Sequence, residues 1–235
     1  MTRTIPAALA AAAALALALP AAANHVDFLG DDGTSFSLSS SGAAVSGTQT
    51  GSSGSLLGGT RVVTVEQDEG FGGSISAAKT ATGDVITVMN GDVAAGNLVL
   101  DYPGISNSDF DTLWDRIDVQ IPALFMSSGI GDAEFDAFLT VESSAGTGTA
   151  SSGRIEASVT GGSTVLSFQF DDPAFAAVDF TDVDGVTLLF DTAILGSDFS
   201  VGAITRESNA PVPEPTSLAV LGLGGLAALR RRRRA

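Results

Sequence analysis

Short runs in which every second residue is apolar recur along the middle of the chain, separated by clusters of Gly, Ser, Asp and Thr. In Arg61-Val62-Val63-Thr64-Val65-Glu66, an extended backbone puts Arg61, Val63 and Val65 on one face, because successive side chains point to opposite sides. Residues 84–89, 97–102 and 136–141 read the same way, and 154–160, 164–170, 185–190 and 199–205 follow. Many short strands at such spacing predict an all-β fold, an antiparallel β-sandwich. Thr82-Gly83-Asp84, Asn90-Gly91-Asp92 and Gly161-Gly162 supply turns, and the last is expected to join 154–160 to 163–170 as a hairpin. Residues 42–59, rich in Gly, Ser and Thr, are expected to form a loop. No repeat of fixed period emerges.

One stretch breaks the alternation. Phe110, Leu113, Trp114 and Ile117 stand at i, i+3, i+4 and i+7, with Ser108 placed to cap and Asp111 three residues on. This predicts one short helix closing an end of the sandwich; the alternative is an irregular crossing that leads into a strand at 116–121. Trp114 is the only tryptophan, and its apolar neighbours favour core packing over an exposed sugar-stacking role.

The two ends of the chain follow different rules. Arg3 precedes an apolar stretch from Ala7 to Leu19; Pro20 breaks it, and Ala21 and Ala23 frame a small-residue cleavage site before Asn24. Residues 1–23 thus read as a signal peptide. At the other end Pro213 and Pro215 flank Glu214 and hold the chain extended. From Thr216 to Leu229 no residue is charged, but as a helix the run would span only roughly 21 Å against a hydrocarbon core of about 30 Å. Arg230, Arg231, Arg232, Arg233 and Arg234 then resist translocation and stay cytoplasmic. The tail is built as a temporary anchor.

Val212-Pro213-Glu214-Pro215, the Leu/Gly/Ala run and the arginine cluster, in that order, resemble the PEP-CTERM sorting signal of Gram-negative bacteria. The resemblance implies that an exosortase-type membrane enzyme reads Pro213-Glu214-Pro215 and processes the tail, with the inner membrane as a transient partner. Residues 56–65 (LLGGTRVVTV) and 170–207 are also similar to a recurrent body of PEP-CTERM proteins. That resemblance implies a jelly-roll-like, carbohydrate-binding-module-like sandwich, without implying a ligand. The expected organisation is a signal peptide at 1–23, a sandwich domain at 24–210 and the sorting signal at 211–235.

The formal charge is −16, but it includes Arg3 and the five tail arginines. Residues 24–213 carry five basic against 26 acidic side chains, a net of −21. Such a body is repelled by nucleic acid and by anionic membrane surfaces, and suits a cation-rich or polysaccharide matrix. Cysteine is absent, so an exported domain of this kind must be stable through its core alone.

Catalytic chemistry finds little purchase. The only histidine, His25, lies at the start of the exported body and is expected to be mobile there. Nucleophile–histidine arrangements lack their base, and zinc lacks its usual ligands. Paired carboxylates of the glycosidase kind stay open because acids are plentiful, but nothing singles out a pair. Asp31-Asp32, Asp171-Asp172 and Asp182-Val183-Asp184-Gly185 could offer hard oxygen ligands to a structural Ca²⁺, with Asp182 and Asp184 foremost. Turn-forming, solvated aspartates are the favoured reading of the same residues. Two functions are therefore carried forward. The first is a non-enzymatic surface or matrix protein associated with exopolysaccharide; the second is a secreted, carboxylate-dependent glycan-active enzyme.

Overall fold

The structure is a computed structural model; it describes residues 25–208 apart from 30–32, 52–54, 71–72, 107, 127–132, 158–161 and 193–194. The predicted signal peptide, the sorting tail and Asp31-Asp32 lie outside the described residues. Asn24–Glu207 form a compact unit of their own.

Among the described residues, fourteen strands make up two antiparallel sheets. In chain order they are β1 (His25–Asp27), β2 (Phe36–Ser40), β3 (Val45–Thr50), β4 (Thr60–Gly70), β5 (Ile75–Lys79), β6 (Ile86–Asn90) and β7 (Ala94–Tyr102). There follow β8 (Arg116–Met126), β9 (Ala133–Ser143), β10 (Gly146–Ala157), β11 (Gly162–Gln169), β12 (Val183–Asp191), β13 (Ser197–Val201) and β14 (Ile204–Glu207). The six-stranded sheet runs β10-β9-β12-β7-β4-β3. In the eight-stranded sheet β8 is the hub. β11 lies along one side of it, and on the other β14 pairs with its first residues and β13 with its last. From there β1 adds to β14, while β6, β5 and β2 continue outward from β13.

The alternation anticipated from sequence is what closes the core. Val63, Val65, Leu98, Leu100, Phe135, Leu139, Leu188 and Phe190 point inward from the six-stranded sheet and are buried. Ile117, Val119, Ile121, Phe199 and Val201 meet them from the other. Phe135 and Phe199 stack across the interface with centroids 5.0 Å apart, and Phe190 packs against both. Burying one such phenyl ring contributes about 1.5–3 kcal/mol.

Three sequence expectations are corrected. The short helix predicted over 108–117 is an irregular crossing. Ser108 bridges to Val183 through two backbone hydrogen bonds, and the Phe110 amide donates to Phe180 O at 2.7 Å, so these groups bond across rather than along the chain. Asp109 Oδ1 accepts from the Asp111 and Thr112 amides and makes a tight turn. Phe110 enters the core, whereas Leu113 is 54% exposed, so the apolar spacing did not mark one buried face. The expected hairpin between 154–160 and 163–170 is also absent. β10 pairs with β9 and β11 with β8, so the chain changes sheets there. Finally, the supposed loop at 42–59 contains β3, whose Ser and Thr side chains suit an edge strand facing water.

Gly58 and Gly59 explain the LLGG stretch that precedes β4. Their φ angles are +77° and +70°, a region that side chains rarely adopt, and a Cβ on Gly58 would lie 2.3 Å from the Gly104 backbone. The turn that delivers Arg61 to the core face of β4 needs both glycines.

Candidate functional site

Arg61 shares its strand face with Val63 and Val65, so the sheet carries a guanidinium into the interior with no exposed surface. A buried charge needs a partner. Asp27, also fully buried on β1, supplies it: Oδ2 accepts from Arg61 Nη1 and from Tyr102 Oη, the latter at 2.9 Å. Arg61 Nη2 donates to Thr34 Oγ1 at 3.0 Å, and Lys79 Nζ to Thr34 O at 2.8 Å. Burial raises the Tyr102 pKa well above its usual value, and the adjacent Asp27 carboxylate pushes it the same way. Sequence alternation placed Arg61 on this face, but its partner, 34 residues upstream, left no local signal. The cluster is sealed in the core and offers nothing to a ligand.

A second inward arginine, Arg206 of β14, lies 3.9 Å from the Trp114 ring centroid and 4.7 Å from that of Phe110. Burial lowers its pKa to about 10. Trp114 is half-buried with Arg206 against its face, which is neither the full core packing nor the open sugar platform considered from sequence. His25 is not mobile as expected. It belongs to β1, pairs with Thr205 and is buried; desolvation, then Arg206, lowers its pKa.

The aspartate-rich loops are occupied locally. Asp172 Oδ1 accepts from the Ala174 amide at the start of a 3-10 turn, Pro173–Phe175. Asp179 Oδ1 accepts from the Thr181 amide and hydroxyl, and Asp182 Oδ2 from Ser144 Oγ at 2.6 Å. Asp182 and Asp184 flank buried Val183 at the start of β12. No group of three or more His, Cys, Asp or Glu side chains able to hold a metal forms among the described residues.

The outer face of the six-stranded sheet is regular. Pairing registers align its outward residues into rows that run across the strands. One row is Thr149, Thr140, Thr187, Asp101, Val62 and Thr48. The next is Ser151, Phe138, Leu189, Val99, Thr64 and Ser46. The third is Arg154, Asp136, Asp191, Asn97 and Glu66. Thr140 bonds Thr149 at 2.9 Å, Thr187 donates to Asp101 at 3.0 Å, and Ser46 bonds Thr64 at 2.7 Å. Phe138, Leu189 and Val99, on three neighbouring strands, are half-buried. The face thus carries an apolar stripe between a hydroxyl-rich row and a carboxylate-rich row, each about 7 Å away. Such a stripe requires strand register, which no single run of sequence displays.

Among the described residues no helix is long and apolar enough to cross a membrane. Ala21, Ala23, Pro213, Glu214, Pro215, the run 216–229 and Arg230–Arg234 lie outside them, so their roles rest on sequence. No curated protein sequence matches the chain. Similar solved structures include a family 11 carbohydrate-binding module from Clostridium thermocellum, in complex with a β-1,3-1,4-mixed-linked tetrasaccharide. It is 11% identical with a TM-score of 0.37, over 79% of this chain and 95% of that one. The CBM22-1 xylan-binding domain from Paenibacillus barcinonensis is 8% identical with a TM-score of 0.38, over 81% and 100%. An exo-β-agarase is 14% identical with a TM-score of 0.40, over 82% of this chain and 26% of the enzyme. At such scores nothing about ligand or activity follows from them. The family comparison is specific and falls on the tail: residues 211–234 match the PEP-CTERM protein-sorting motif, which implies export and handling by an exosortase. The chain carries a PEP-CTERM protein-sorting motif at residues 211–234 and a β-sandwich body.

Proposed function

We propose that this is a non-catalytic protein of the cell surface or extracellular matrix that associates with exopolysaccharide, delivered there by its C-terminal signal. The sorting motif at 211–234 is the observation that carries the reading. On this reading the signal peptide is cut after Ala23 and the run from Thr216 to Leu229 holds the chain briefly in the inner membrane. Arg230–Arg234 stay cytoplasmic, and an exosortase-type enzyme acts at Pro213-Glu214-Pro215. A sandwich filled by Phe135, Phe190 and Phe199, with a ruled outer sheet face, supports a role in holding rather than transforming a polymer.

Glu214→Ala tests the delivery step: the variant should accumulate as an uncleaved species in the inner membrane fraction. Mass spectrometry that finds Arg230–Arg234 intact on wild-type surface material would overturn the reading.

A further inference from the structure

We propose that the outer face of the six-stranded sheet is a docking platform for a polysaccharide free of acidic groups, lying across the strands along the Phe138–Leu189–Val99 stripe. The inference rests on the reading that the body associates with exopolysaccharide; it adds where, and which chemical class.

In an antiparallel sheet with one face turned to water, the outward positions are normally polar, so three apolar side chains in one register row depart from that pattern. Here they sit at the centre of the face, on β9, β12 and β7, and Ser151, Thr64 and Ser46 extend the row to both sheet edges. A pyranose ring has the matching anatomy: apolar C–H faces and hydroxyls around its rim. Laid on Phe138 and Leu189, its rim points at Thr187 and Asp101 on one side and at Asp136, Asp191 and Asn97 on the other. An ionised carboxylate only accepts hydrogen bonds, so the ligand must donate them. Hydroxyl and ammonium groups do.

Charge sets the class. Asp136 stands directly opposite Asp191 on neighbouring strands, a like-charge pairing that ordinarily destabilises a sheet. Glu66 continues the row, and Asp68 contacts Asn97. Arg154, the one cation in these rows, forms ion pairs with Glu134 and Glu156. A uronate or sulfate polymer would bring more negative charge onto a face whose one cation in these rows is already paired with carboxylates, on a body of net charge −21. A neutral or amino-sugar chain meets no such repulsion.

The test uses residues 24–210, whose core and both sheets lie within one compact unit. Retardation in gels is measured with a neutral β-glucan, chitosan, polygalacturonate and the extracellular polysaccharide of the producing cells, with added salt to screen non-specific attraction. The neutral polymer or chitosan should retard the protein, and polygalacturonate should not. Phe138→Ala with Leu189→Ala should weaken retention about tenfold or more, the scale of a binding hot spot. Phe125→Ala, exposed on the other sheet, should leave it unchanged. Thermal melts verify that both variants stay folded. Polygalacturonate bound as well as the others, or full retention by the stripe variant, overturns this inference and leaves polysaccharide association standing. Binding in none of the four arms ends both.

Discussion

Replacing Asp27 by Ala should be among the most damaging single changes in the body. The carboxylate is fully buried, and its Oδ2 accepts from both Arg61 and Tyr102. Its loss removes a counter-charge inside the core, a change that typically costs about 3–5 kcal/mol. Against a total stability of about 5–15 kcal/mol, that is a large share. With roughly 2–4 °C per kcal/mol for a domain of this size, Tm should fall on the order of 10 °C. Denaturant melts with unchanged m should give the same loss. The double variant Asp27→Ala with Arg61→Met removes both charges and should recover most of it, because two apolar residues are tolerated where one orphaned ion is not. Tyr102 gives an independent readout, since it is the only tyrosine. Its folded pKa is raised above the unfolded value of about 10, so its contribution to stability is present below that pH and lost as pH rises through the folded value. Tyrosinate absorbance should therefore be absent from the folded wild type near pH 10. It should appear at lower pH in Asp27→Ala, where Arg61 draws the phenol down unopposed by the carboxylate. A loss below about 1 kcal/mol, or a double variant as unstable as the single one, would refute the argument that this pair is a matched internal charge.

Four other outcomes are expected. Burial of Asp198, 1% exposed, raises its pKa to about 6, so its protonated form suits the fold and ionisation costs stability as pH rises through that value. Asp198→Asn should melt increasingly above wild type between pH 4 and pH 7 in paired thermal scans. With a net charge of −21, added NaCl should raise the Tm of residues 24–210 modestly. Millimolar Ca²⁺ should add no more than Mg²⁺ at matched ionic strength, and a Ca²⁺ increment abolished by Asp182→Asn with Asp184→Asn would instead establish an ion site. Replacing Arg230–Arg234 by Gln should release the chain to the periplasm, which membrane fractionation will check.

Where the sequence could be read, the reading was local. β4, β7, β9 and β12 announce themselves because each buries every second residue, and Val63, Val65, Leu98, Leu100 and Leu188 supply that period within a few positions. β2, β3 and β5 escape notice because Ser, Gly, Thr and Ala dominate them, and neighbouring strands rather than their own side chains hold them in place. At 108–117 an apolar pattern of helical spacing was overruled by backbone bonds to residues 180 and 183, which lie far along the chain. The same limit governs the surface: Phe138, Leu189 and Val99 sit in three separate runs, and only pairing brings them into line. The sorting tail was legible because its Pro-Glu-Pro, apolar run and arginines act in sequence order.

Pairing of β1 with β14 has a mechanical consequence. Any load that reaches the body through its C-terminal end enters at Glu207, on a strand bordered by hydrogen-bonded neighbours on both sides. Ladder bonds in antiparallel sheets lie perpendicular to the strands. Tension directed along β14 therefore shears them together instead of peeling them one by one. Were a glycan to grip the opposite sheet, traction would pass through the interlocked Phe135, Phe190 and Phe199 rings, making the sandwich interior a tension member between tether and polymer.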